Sequence, residues 1–224
     1  VYIDKNPPNL KKPAITSSGS ISALPEPDIG SHPRLLYLRE ATRLLAASCQ
    51  GKRTVAATLL SPMDLPSVIM GIEGWLDTIL FDPENTRLML DKTVKYFIDW
   101  GNTLLADGAT FLVIPSVFTN PSILTRKMVK EIVIPLLDEA FREIKGPLVF
   151  HHGSKPIAKF MEIYSSLPNV AGFFLDNRDS FAEARKTIGQ GKVLFGNIDG
   201  PNLWRLKPET IRTECRKLLE ERKD

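Results

Sequence analysis

Cysteine is nearly absent: of 224 residues only Cys49 and Cys215 carry a thiol, 166 positions apart. Two such residues build neither a disulfide framework nor a CxxC redox or metal motif, a pattern that fits a reducing cytosol. No apolar run reaches the roughly 18 residues that a membrane-spanning helix requires. The first residues, Val1 to Lys5, show neither the basic nor the apolar region of a signal peptide. An excess of one charge is missing too. Lys and Arg number 29 against 26 Asp and Glu, and the two signs interleave, so no basic stripe exists to neutralise nucleic-acid phosphates. No GxGxxG follows any strand-like run, which removes the dinucleotide-binding signature. An initiator Met is lacking as well, as expected if residues were removed from the N-terminus or if the sequence begins inside a longer chain.

What is present is the composition of a globular protein, 43% hydrophobic and 25% charged. Residues 1–34 are rich in proline and serine without sustained periodicity, and read as an irregular lead-in with at most a short strand near Ala14 to Thr16. A packed domain is expected over 35–224. Ser31 and Pro33 open a helix that carries Leu35, Leu38, Ala41 and Leu45 at helical spacing and stops at Gly51. Asp82-Pro83-Glu84 supplies an N-cap, a first-turn proline and a first-turn acid for a helix running to about Ala106. Thr125 opens another, bent or interrupted at Pro135 and closed by Gly146. Shorter helices are expected at about Pro156 to Ser166, Asp179 to Ile188 and Pro208 to Arg222.

Between the helices lie compact apolar runs: Val55 to Leu60, Phe111 to Ile114, Leu148 to His151, Val170 to Leu175 and Val193 to Phe195. Short all-apolar runs alternating with helices are the pattern of parallel strands buried on both faces. Their starts are separated by 56, 37, 22 and 23 residues, near the roughly 31 per unit of an eightfold barrel. The expected fold is α/β, a (β/α)8 TIM barrel of which this chain carries about five to six of the eight βα units, truncated at both ends.

Chemistry in such folds gathers at the C-terminal strand ends, where loops and helix N-termini converge. Polar residues recur there directly after apolar runs: Ser61 and Asp64, Ser116, His151 and His152, Asp176, and Asn197 and Asp199. Two of three histidines are adjacent at the end of one strand, a position for a general acid or base or a metal ligand. Alternation sends neighbours to opposite faces, so one of the pair is expected to enter the mouth. His151, His152 and Asp176 are the candidate catalytic residues. Ser61, Ser116, Asn197 and Asp199 are the candidate substrate-binding residues. Asp179 is expected to cap the helix that follows it, and Met63, Met70, Trp75 and Trp100 to fill the core.

The stretch Val193-Leu-Phe-Gly-Asn-Ile-Asp-Gly200, followed by Pro208-Glu-Thr210, resembles the GN(I/L/V)D strand end and following helix of the uroporphyrinogen decarboxylase superfamily. Ser61-Pro62, Glu73-Gly74, Asp82-Pro83-Glu84, Asp107-Gly108-Ala109 and Phe174-Leu175-Asp176 fall in that family's order and spacing, so the resemblance spans about Pro25 to the C-terminus. It implies a (β/α)8 barrel and two branches of activity. One is decarboxylation of uroporphyrinogen in tetrapyrrole (porphyrin) biosynthesis, without a cofactor. The other is methyl transfer between a corrinoid (cobalamin-type methylcobamide) and a small acceptor such as a thiol.

The decarboxylase's arginine-rich motif and catalytic aspartate lie in an N-terminal region this chain does not contain. The tyrosine expected before Glu73-Gly74 is replaced by Val68-Ile69-Met70. Thiol-activating methyltransferases carry His-x-Cys at the strand end matching Leu148 to His152. Here the histidine is retained and Gly153 stands where the cysteine would be, so His151 is the one candidate ligand should zinc bind. The resemblance thus implies a cytoplasmic methyltransferase-like enzyme moving a methyl group between a corrinoid, held as methylcobamide on a separate carrier protein, and a small-molecule acceptor. A decarboxylase (lyase) is the alternative, and a non-catalytic barrel binding a tetrapyrrole or a partner a further one. No cofactor bound by the chain itself, no nucleic acid and no membrane are expected.

Overall fold

The computed structural model describes residues 12–49, 51–152 and 155–221. Five strands, β1 (Ala56–Thr58), β2 (Phe111–Pro115), β3 (Leu148–His151), β4 (Val170–Phe174) and β5 (Val193–Phe195), pair in parallel in the order β1-β2-β3-β4-β5. Four fall within the apolar runs of the sequence, and β2 extends one residue beyond its run, to Pro115. The helices are α1 (Pro33–Cys49), α2 (Leu65–Met70), α3 (Ile72–Phe81), α4 (Pro83–Ala106), α5 (Arg126–Met128), α6 (Ile134–Arg142), α7 (Met161–Ser165), α8 (Phe181–Ile188) and α9 (Pro208–Glu221). Strictly sequential parallel strands joined by helical crossovers form the βα arrangement of a partial TIM barrel.

The sheet's two faces differ, which corrects the expectation of strands buried on both. Ile114, Phe150, Phe173 and Leu194 stand in register across β2 to β5 and are all buried, at 0–1% exposure. The next row, Pro115, His151, Phe174 and Phe195, is only half-buried on the opposite face. Phe111 of β2 stacks on Phe195 of β5 at 6.3 Å even though β3 and β4 lie between. The sheet therefore curls towards a barrel, with the half-buried row on its concave side.

α4 is placed by its ends and one close approach. Asp82 accepts a hydrogen bond from the Asn85 amide at 3.1 Å, Pro83 opens the first turn, and Gly108 leaves the helix with φ +107°. Gly101 lets the helix settle on the sheet, since a Cβ there would come within 2.9–3.2 Å of Ile144, Leu112 and Leu59. Phe97, Trp100 and Leu104 bury the same face. As expected, Met63, Met70, Trp75 and Trp100 lie in the core, each no more than 4% exposed.

Several local expectations need correction. No strand forms at Ala14 to Thr16; the Ala14 and Ile15 amides both donate to the Ile69 carbonyl in an irregular segment. The helix opened by Thr125 contains a π segment, Val129–Val133, immediately before Pro135. Proline has no N–H to give and its ring crowds the carbonyl four residues back, which a wider turn relieves. Over Pro156 to Ser166 only Ala158–Phe160, a 3-10 turn, and α7 are helical.

Candidate functional site

The loops following β3, β4 and β5 enclose a cavity of about 410 Å³. His151, His152, Asp176, Asn197 and Asp199 all line it, so five of the seven residues singled out from sequence meet in one place. His151 ends β3 on the concave side, with its ring 5.3 Å from that of Phe174. His152 turns the other way, as alternation requires, into a slot between Phe150, on which it stacks at 5.0 Å, and Tyr164 at 4.9 Å. It is 2% exposed. Burial, helped by the proximity of His151, pushes its imidazole down to about 3, so at neutral pH the ring carries no charge. Neither ring nitrogen has a hydrogen-bond partner on the described residues.

Asp176 is gripped by its neighbour: Arg178 donates to it through Nε at 2.6 Å and a terminal nitrogen at 3.1 Å. Those bonds hold the carboxyl below the usual aspartate range. Asp199 accepts from Asn202 Nδ2 at 2.6 Å. Asn197 has a defined amide orientation, because its Nδ2 donates to the carbonyls of Asp176 and Asp179 at 3.0 and 2.6 Å. A flipped amide would set oxygen against both carbonyls. Its Oδ1 is buried and has no partner among the described residues.

Asp179 does not cap α8. Ser180 does, accepting from the Glu183 amide at 3.3 Å. The Asp179 carboxylate instead accepts from the backbone amides of Ile157, Ala158 and Asp176 at 3.0–3.1 Å. It thereby ties the segment leaving β3 to the segment leaving β4, which fixes two walls of the cavity. Standing one residue before the cap position is enough to redirect the carboxylate, and nothing local in the sequence marks that.

Ser61 and Ser116 are not among the residues that line this cavity; both are fully buried around Asp64. Ser61 Oγ donates to Asp64 Oδ2 at 2.6 Å and Ser116 Oγ lies 3.3 Å from the same oxygen. Oδ1 accepts from the Val117 and Phe118 amides at 2.7 and 3.3 Å. Burial pushes this carboxyl up while the surrounding donors pull it down, and burial prevails. Asp64 locks the ends of β1 and β2 together. It stood in the Ser61-Pro62-Met63-Asp64 strand end, and its spacing of three from Ser61 was the available sign of a side-chain turn.

Among the described residues no three His, Cys, Asp or Glu side chains are grouped closely enough to hold a metal ion, and the thiols of Cys49 and Cys215 sit on α1 and α9. Gly153, the position matched to a zinc-binding cysteine, lies outside the described residues. Among the described residues no helix is long and apolar enough to cross a membrane.

The uroporphyrinogen decarboxylase (URO-D) family model matches residues 1–224. The chain belongs to the URO-D family. No curated protein matches it significantly. Among solved structures, a methyltransferase from Methanosarcina mazei superposes with a TM-score of 0.82 at 14% identity, over 94% of this chain and 62% of that one. A Listeria monocytogenes protein assigned as a vitamin-B12-independent methionine synthase gives 0.55 at 16% identity, over 88% and 61%. A B12-independent methionine synthase from Shewanella sp. W3-18-1, solved with selenomethionine, gives 0.50 at 12% identity, over 78% and 62%. At these identities the likeness is one of fold. The chain spans about three fifths of the length of each of these solved chains.

Proposed function

We propose that the chain is the substrate-holding part of a methyltransferase-like enzyme that moves a methyl group between a corrinoid and a small acceptor bound at the ends of β3, β4 and β5. The observation that carries this reading is the convergence of His151, His152, Asp176, Asn197 and Asp199 on one strand-end cavity in a barrel of this family. Its volume, about 410 Å³, lies at the lower end for pockets that hold drug-sized ligands. It suits a small acceptor and is too small to engulf a corrinoid macrocycle, which a separate carrier protein would present at the open side. The corrinoid supplies the methyl group; the residues of this chain do the rest.

Methyl transfer to a nucleophile needs alignment and a water-poor contact more than elaborate acid–base chemistry. Phe174 and Ile198 give the cavity apolar wall, and the Asp179 clamp keeps the two loops at fixed spacing. The acceptor loses its proton as the new bond to carbon forms, and His151 is the imidazole placed to receive it. His152, sealed between Phe150 and Tyr164, backs the wall from the helix side and keeps His151 turned towards the mouth. No step runs through zinc.

The test is incubation of the protein with methylcob(III)alamin and a panel of small alcohols, amines and thiols, following loss of the cobalt–carbon absorbance and gain of methylated product by mass spectrometry. Product formation that depends on the protein and falls about 10²-fold or more in His151→Ala is expected. Release of carbon dioxide from uroporphyrinogen, with no methylated product from any acceptor, would overturn the reading.

A further inference from the structure

Away from the site at the ends of β3 to β5, the segment that precedes α1 lies against α4 as a strap. The Lys92 ammonium donates to the Leu24 carbonyl at 3.1 Å and Lys95 pairs with Glu26, which fastens residues 24–26 to the helix. The strap, α1, α2 and α4 together enclose a cavity of about 420 Å³ that shares no residue with the strand-end cavity. Its wall is mainly apolar: Leu24 of the strap, Leu35 of α1, and Leu65 and Ile69, which stand four residues apart on one face of α2. Each of these side chains is half-buried, so a molecule entering from solvent can touch it.

Lys92 is the odd member of that wall. It is half-buried, and its ammonium meets only the neutral Leu24 carbonyl; among the described residues no carboxylate comes within salt-bridge reach of it. The carboxylate on the same wall, Asp28, is taken up by its own turn, accepting from the Ser31 hydroxyl and from the Gly30 and Ser31 amides at 3.0 Å. Glu26 is engaged by Lys95. An ammonium partly withdrawn from water is costly until an anion meets it. The chain thus sets an unmatched positive charge at the border of an apolar hollow.

We propose that this cavity is a second binding site, for a small amphipathic acid with an apolar body and one carboxylate. The carboxylate meets the Lys92 ammonium, and the apolar body lies against Leu35, Leu65 and Ile69. A volume of about 420 Å³ is at the lower end for pockets that hold drug-sized ligands, so a body of about eight carbons is the expected size. A neutral analogue forfeits the charge-assisted bond, an amine sets a like charge beside Lys92, and a short acid such as acetate leaves the apolar wall wet. The site is separate from the strand-end cavity, so it stands or falls independently of the proposed methyl transfer.

The test titrates the chain, 13C-labelled at its Ile and Leu methyl groups, with octanoate, octanamide, octylammonium and acetate at neutral pH and below micelle-forming concentrations. It follows the methyl signals of Leu65 and Ile69 by NMR. Octanoate is expected to shift both saturably and to bind about tenfold more tightly than octanamide, the worth of one charge-assisted hydrogen bond. Lys92→Met keeps the apolar stem and removes the charge; it should weaken octanoate about tenfold and leave octanamide unchanged. Equal losses for both ligands would mean that Lys92 acts only by holding the strap, and would overturn the proposal. So would octanamide, octylammonium or acetate binding the wild type as tightly as octanoate, or methyl signals that no probe moves. Should Lys92→Met fold poorly, the wild-type comparison of octanoate with octanamide decides the matter.

Discussion

His152 couples the site to the pH response of the fold. Its ordinary value is 6.5, and burial between Phe150 and Tyr164 lowers it to about 3 in the folded chain. Between those two values the unfolded chain binds a proton that the folded chain refuses. Stability from this group is whole above pH 6.5 and is lost as pH falls through the window, by about 2 kcal/mol at pH 5. Urea unfolding at pH 7 and pH 5 should show that loss in the wild type and its absence in His152→Phe. Asp64 makes a second prediction at this scale. Asp64→Ala strands Ser61, Ser116 and two backbone amides inside the protein, and should cost on the order of 3 kcal/mol in the same measurement. The paired histidines could be placed at a strand end from sequence because an apolar run precedes them. Which one is buried could not, since the slot is closed by Tyr164, whose position depends on how α7 packs. Asp64 and Asp179 were hidden for a like reason: each carboxylate takes amides from a segment distant in sequence.

At the scale of elements, the five strands were legible because each is an apolar run with a turn behind it, and α4 because Asp82 and Pro83 announce its start. The region between β1 and α4 was not. There Gly71, with φ +83°, splits the chain into two short helices, α2 and α3, whose apolar residues run together without a clear helical period. The contact between β4 and β5 depends on a missing side chain. A Cβ on Gly172 would lie 2.5 Å from the Val193 carbonyl oxygen, so Gly172→Ala must push the strands apart. It should destabilise the fold by roughly 1–3 kcal/mol and, because Asn197 follows β5, also weaken ligand binding at the cavity. Asp82→Ala, which removes the cap of α4 far from that cavity, should cost about 1 kcal/mol and leave binding intact. Thermal unfolding together with the methyl-transfer assay separates the two cases.

Over the whole molecule, a curled sheet of five strands has an edge at β1 and another at β5, and its concave face stays half-open. Val193 on the β5 edge is 53% exposed. Open, apolar strand edges invite pairing with another chain. The 224-residue polypeptide on its own should therefore run above 25.0 kDa in light scattering, and Val193→Lys should shift it towards the monomer. The barrel class was readable in sequence from the spacing of the strands; the difference between its two faces was not, since an apolar run looks the same whether or not the concave side is filled. The chemistry assigned to the ends of β3, β4 and β5 is open to a direct check. A second cavity, about 420 Å³ and lined by Tyr96 of α4, shares no residue with the first and serves as the internal control. The measurement is single-turnover methyl transfer from methylcob(III)alamin by the wild type, His151→Ala and Tyr96→Phe. The expected result is a rate about 10²-fold lower or more in His151→Ala and unchanged in Tyr96→Phe. Equal rates in all three proteins would contradict the assignment and move the reaction away from these strand ends.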